Sequence, residues 1–166
     1  MGSHEFGKTQ VCGWIRKNFT RGCSILDVGA CDANWRIRLR DYENMDAVEI
    51  FEYNYAYCRP YYRNAWNIDI KDFEYGYYDL IIFGDVIEHM TVEDAQKVLN
   101  YAWDRCKDMI VAVPFLYVQD EMYGNKWEKH IQDDLTPELF DERYPGFEKL
   151  YDTGMNYCYY HKGESK

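Results

Sequence analysis

The segment SILDVGACDANW, residues 24–35, constrains the fold more than any other stretch of the chain. A short apolar run ends directly in a glycine, and helix-compatible residues follow, so a buried strand turns into a helix here. A glycine directly after a buried strand lets the backbone approach a bound molecule, while the helix behind it offers free N–H groups and the positive end of a dipole. Gly29 holds that position. The usual alternation of three glycines is incomplete, because Cys31 and Ala33 occupy the second and third places. Both are small and keep close approach open, but a turn that cradles phosphates suffers more from the change than one facing a molecule without them.

The remaining elements alternate around this unit. Val11, Trp14, Ile15 and Phe19 recur on one helical face over residues 8–20, and Arg21 and Gly22 end the run. Residues 35–42 are helical, 46–51 strand-like, 52–62 a weak helix ending near Pro60, and 65–70 a third short strand. The run YDLIIF, residues 78–83, is apolar but for Asp79, as in a strand covered on both faces, which places it at the centre of a parallel sheet. Thr91 caps a helix with Glu93 and Asp94 in its first turn and Ala95, Val98, Leu99, Ala102 and Trp103 on its apolar face. Residues 109–113 form another buried strand. The irregular stretch 114–135 is long enough to act as a lid or substrate loop. Thr136, Pro137 and Glu138 start a helix that stops before Pro145 and Gly146. Residues 147–151 and 155–161, joined by Asp152, Thr153 and Gly154, read as a hairpin. The expected fold class is α/β: a Rossmann-like, mostly parallel sheet flanked by helices and ending in an antiparallel C-terminal hairpin.

Composition narrows the partners. A chain of 166 residues holds one domain, here 7–166, and the opening MGSHEF at 1–6 reads as a cloning scar. The net charge of -10 repels a phosphate backbone, so nucleic acid is not expected as a partner. Arg36, Arg38 and Arg40 read as solvated helix surface, because alternate spacing spreads them around a helix. The six cysteines include no Cys-x-x-Cys pair, which argues against a zinc site or redox motif and for reduced thiols in a cytoplasmic protein without a signal peptide. The longest apolar run, residues 109–116, falls well short of the roughly 18 residues a membrane span needs, so no membrane partner is expected. The 17 tyrosines exceed the needs of a core this size and read as amphipathic surface, or as the lining of a pocket or interface.

Two polar groups lie where open α/β sheets bind ligands. Glu49 follows Gly29 by 20 residues at the end of the second strand, where a carboxylate accepts hydrogen bonds from both hydroxyls of a ribose, or stands as an exposed acid. Asp85, Glu88 and His89 gather just past the 78–83 strand. With these landmarks in this order, the chain resembles the class I S-adenosylmethionine-dependent methyltransferases, from the Leu26-Asp27-Val28-Gly29 turn to the terminal hairpin. The string YDLIIFGDVIEH, residues 78–89, is similar to a further signature of that family. The resemblance implies S-adenosylmethionine as cofactor, held by Asp27, Gly29, Ala30, Cys31, Glu49, Ile50, Asp69, Ile70 and Asp85. In it Asp27 lies near the methionine end, Glu49 holds the ribose with Ile50 beside the adenine, and Asp69 contacts the adenine amino group. The implied reaction is methyl transfer to a small molecule or small glycan.

The acceptor side offers alternatives. A hydroxyl acceptor benefits from a base, and His89 suits that task with an ordinary pKa of about 6.5, or is a structural residue at a helix start. From the loop, Tyr117, Tyr123, Trp127 and His130 bind or gate the acceptor, with His130 a second catalytic candidate, or Trp127 and Ile131 pin the loop to the core. No metal is expected. The alternative is Asp85-x-x-Glu88-His89, similar to the Glu-x-x-Glu-His ligand set of certain metal-dependent O-methyltransferases, with His130 completing it for magnesium or manganese. Its first ligand is one methylene shorter. The altered glycine turn also keeps open a non-catalytic cofactor-binding or interaction domain, whereas a nicotinamide oxidoreductase requires a better dinucleotide turn.

Overall fold

A computed structural model of the chain describes residues 6–163, so all of the 1–6 segment except Phe6 lies outside the described residues. Seven strands form one sheet: β1 (Ile25–Val28), β2 (Met45–Glu49), β3 (Asn64–Asn67), β4 (Tyr78–Gly84), β5 (Cys106–Pro114), β6 (Glu148–Asp152) and β7 (Tyr157–Gly163). Their order is β3-β2-β1-β4-β5-β7-β6, parallel from β3 to β5 and antiparallel where β7 joins β5 and β6. The strand β4, apolar from Leu80 to Phe83, is the central one. The order reverses between β1 and β4, and such a reversal opens a crevice at the carboxyl ends of those two strands. The architecture is the Rossmann-like sheet with an antiparallel terminal hairpin that the sequence implied.

Successive strand residues feed opposite layers. Leu80 and Ile82 of β4 pack with Val11, Cys12 and Ile15 of α1 (Lys8–Asn18), beside α2 (Asn34–Arg38) and α3 (Glu52–Cys58). Ile81 and Phe83 pack with Ala95, Val98, Leu99 and Ala102 of α4 (Val92–Trp103) and Phe140 of α5 (Pro137–Arg143). Each valine, leucine, isoleucine or phenylalanine among them, fully buried, contributes about 1.5–3 kcal/mol. Both cap expectations hold: Thr91 accepts from the Asp94 N–H at 3.1 Å, and Thr136 accepts from the Leu139 N–H at 3.2 Å. Among the described residues no helix is long and apolar enough to cross a membrane.

Three sequence readings need correction. First, the second helix ends at Arg38, short of Tyr42, because Leu39 and Tyr42 are drawn into the core and the Tyr42 hydroxyl bonds the Ile15 and Phe19 carbonyls of the first helix region. Second, the third strand stops at Asn67, where the Asn67 side chain donates to the Glu49 and Ile50 carbonyls, and residues 68–70 leave the sheet. Third, the tyrosines are not mainly surface: Tyr42, Tyr62, Tyr75, Tyr78, Tyr144, Tyr157, Tyr159 and Tyr160 are buried. Several bury their hydroxyls against distant partners, as Tyr78 does on Asp46 at 2.9 Å and Tyr144 on Gln132 at 2.8 Å. Burial of a phenol becomes favourable once its hydroxyl is satisfied.

Candidate functional site

A cleft of about 370 Å³ lies across the carboxyl ends of β1, β2, β4 and β5, within the usual range for a small-molecule site. Its floor begins at Gly29, whose φ is 72° and where an added Cβ would sit 2.7 Å from Val86 Cγ2. Cys31 and Ala33, in the places where glycines are usual, also take left-handed backbone, at φ 41° and 58°. The turn thus keeps the glycine path with side chains on it, at a cost of about 1–2 kcal/mol per residue. Glu49 holds it there: one carboxylate oxygen accepts the Cys31 N–H at 2.9 Å and the other the Phe51 N–H at 2.8 Å. Each oxygen retains a second lone pair for a ligand. Burial raises the Glu49 pKa, against the two backbone hydrogen bonds.

Of the residues expected at the cofactor, Gly29, Cys31, Glu49, Ile50, Asp69, Ile70 and Asp85 line this cleft together. Asp69 also faces Lys71, with 3.6 Å between carboxylate and ammonium. Asp85 directly follows the central strand at φ 57°, a strained conformation of the kind held at functional sites, and its N–H donates to the Ala112 carbonyl at 3.0 Å. Ala30 packs into the core behind the turn. Asp27 is fully buried beneath the cleft instead of lining it, and accepts a hydrogen bond from the Tyr62 hydroxyl. Burial pushes its pKa up to about 7, opposed by that hydrogen bond and by Lys8.

On the acceptor side, Tyr117, Trp127 and His130 line the cleft, whereas Tyr123 is 83% exposed and lies outside it. The 114–135 loop folds back over the turn that follows β4: Ile131 and Gln132 donate their N–H groups to the Glu88 carbonyl at 2.8 and 3.0 Å. This brings His130 to His89, with ring centroids 4.7 Å apart. His89 Nδ1 lies 3.1 Å from the Lys129 carbonyl and His130 Nδ1 lies 2.8 Å from the Tyr117 carbonyl. A carbonyl only accepts, so each Nδ1 carries the hydrogen and each Nε2 keeps its lone pair. Burial, then the neighbouring His130, lowers the His89 pKa to about 4, and burial lowers that of His130. Beside them Glu88 is fully buried with neither carboxylate oxygen hydrogen-bonded. Burial and the charge of Asp85 push its pKa well above the ordinary carboxylate range.

Sequence reasoning missed Asn54, Gln119, Asn125 and Glu128, which also line the cleft. Asn54 donates to Cys31 Sγ at 3.3 Å from α3, and the Asn125 side-chain oxygen accepts the Trp127 N–H at 3.1 Å, folding the loop locally. The Asn-x-Trp spacing of the second pair is the one signal available in the sequence.

No protein-family model matches the chain, and no curated protein matches it. Solved structures do. An S-adenosylmethionine-dependent methyltransferase from Clostridium acetobutylicum superposes with a TM-score of 0.71 at 12% identity, over 99% of this chain and 93% of that one. Magnesium protoporphyrin IX methyltransferase from Synechocystis, with bound S-adenosylmethionine, gives 0.63 at 14% identity, over 93% and 76%. The bifunctional kinase-methyltransferase WbdD gives 0.65 at 15% identity, over 93% of this chain and only 39% of that protein. The chain therefore has the class I S-adenosylmethionine-dependent methyltransferase fold.

Proposed function

We propose that this chain, on a class I methyltransferase fold, binds S-adenosylmethionine in the cleft and transfers its methyl group to a small molecule or small glycan admitted under the 114–135 loop. The observation that carries the reading is the meeting of Glu49 and Gly29 across the ends of adjacent strands, with a cradle at Gly29 that a Cβ would fill and a carboxylate whose oxygens each keep one lone pair. In this reading Glu49 accepts from the ribose hydroxyls, Ile50 and Ile70 flank the adenine, and Asp69 accepts from its amino group. The sheet order puts Glu49 and the β4 end on opposite sides of Gly29, about 10 Å apart at two strand spacings, so a ligand spanning the turn reaches both.

When bound, the cofactor supplies an electrophilic methyl group on a sulfonium, and its transfer is an in-line displacement. The chain's own contribution is then alignment and exclusion of water, which supply much of the acceleration in such reactions. The loop, fastened at Glu88 and carrying Tyr117 and Trp127, forms that wall. His89 and His130 present neutral imidazoles at the acceptor end, able to take up a proton or a ligand through Nε2.

S-adenosylmethionine or its demethylated product is expected to raise the melting temperature, an effect that Glu49→Ala and, separately, Asp69→Ala reduce or abolish. Absence of binding by the native chain at millimolar cofactor in calorimetry overturns the reading. A purely binding domain would instead show cofactor affinity with no turnover over a broad hydroxyl, amine and glycan panel.

A further inference from the structure

We infer that Glu88, His89 and His130 form a binding site for a divalent transition-metal ion, with coordination positions left open toward the cleft. One donor atom from each residue lies within 4.8 Å of the others. Opposite ligands of an ion bound at about 2.1 Å stand about 4.2 Å apart, so small side-chain rotations bring the three onto one ion. Asp85, which a reading of the sequence alone would make the first ligand, lines the same cleft but lies outside this group.

The second observation is Glu88 itself. Both of its oxygens are buried without a hydrogen-bond partner, in a structure where Glu49 and Asp46 bury theirs on several donors each. An ionised carboxylate in that setting is costly unless something positive meets it. A cation at the apex of the group would satisfy it. The histidines are oriented for the same partner: Nδ1 of each is spent on a backbone carbonyl and Nε2 is left as the donor atom, the arrangement that metal-bound imidazoles usually take. The fastening of Ile131 and Gln132 to the Glu88 carbonyl holds His130 against the other two, so the ligand set is assembled in advance.

Two imidazoles and one carboxylate suit manganese, iron, cobalt or zinc, whereas magnesium and calcium prefer oxygen shells. Three protein ligands leave room for exogenous oxygen. If the methyl-transfer reading above holds, an acceptor hydroxyl bound there would lose its proton more readily, because a metal ion lowers the pKa of a coordinated oxygen. The metal site itself does not rest on that reading.

Cobalt(II) titration, followed by visible absorption and calorimetry, tests the site. The native chain is expected to bind one equivalent with the ligand-field bands of a nitrogen and oxygen shell. Glu88→Gln and His130→Ala should each weaken binding at least about tenfold, the loss that even an outer-shell partner causes, while His161→Ala, outside the cleft, leaves it unchanged. No binding at millimolar cobalt(II), or binding equally tight in both variants, overturns the proposal. The shift in melting temperature with S-adenosylmethionine, measured on the same proteins, reports folding and cofactor binding separately. Cobalt binding that depends on Glu88 and His130 without any cofactor shift would sustain the metal site and refute the cofactor reading.

Discussion

At Gly29 two constraints coincide, a left-handed φ of 72° and a Cβ position 2.7 Å from Val86 Cγ2. Gly29→Ala should therefore destabilise the protein by about 1–2 kcal/mol from the backbone alone, with the clash in addition. Adding Val86→Ala removes the clash and leaves the backbone cost, so thermal unfolding should recover part of the loss and no more. The neighbouring Cys31 and Ala33 were readable as departures from a glycine pattern, but not as residues that keep its path, because the Cys31 N–H that fixes the turn donates to Glu49, 18 positions away. Asp27 makes a prediction in pH. Its folded pKa, raised by burial to about 7, exceeds the ordinary aspartate value of about 3.9. The neutral acid is what the fold prefers, so this contribution is complete below about pH 4 and is lost as pH rises through 7. Asp27→Asn stays neutral throughout. Its melting temperature relative to the native chain should move in the variant's favour from pH 4 to pH 8, and a constant difference would mean that Asp27 is charged over that whole range.

Among the elements, α5 depends on two identifiable interactions. Its N-cap Thr136 should cost about 1 kcal/mol when changed to Ala. Phe140 is fully buried and stacks on Tyr160 with ring centroids 3.7 Å apart, so Phe140→Ala should cost about 3–5 kcal/mol. Chemical denaturation of the two variants separates cap from packing, and near-equal losses would mean that the stack contributes little. The cap of α5 and the run of β4 were legible because their causes are local: a hydroxyl three residues from its amide, and the apolar stretch from Leu80 to Phe83. The ends of α2 and β3 were not, since Tyr42 is held by carbonyls of the first helix region and Asn67 by the end of β2. Likewise His89 was legible as a residue near the strand end, while its meeting with His130 depends on how the loop folds back onto Glu88.

Across the whole molecule, alternating elements sufficed to foresee one sheet with helices on both faces, since each strand residue has only two layers to enter. The tyrosine-rich core was hidden, because the groups that receive buried hydroxyls such as those of Tyr62, Tyr78 and Tyr144 lie far along the chain. The same burial governs the sulfur chemistry. The six cysteines form no disulfide among the described residues, and their thiols are pushed up to about 11 or 12, chiefly by burial, including Cys31 at about 12 in the wall of the cleft. The thiolate is the nucleophilic form of a cysteine. Native protein treated with iodoacetamide at pH 8 should therefore remain unlabelled by mass spectrometry, and rapid labelling at Cys31 would show that its thiolate is accessible. The same burial that builds the cleft wall thus makes its one thiol a poor nucleophile toward any electrophile the cleft admits.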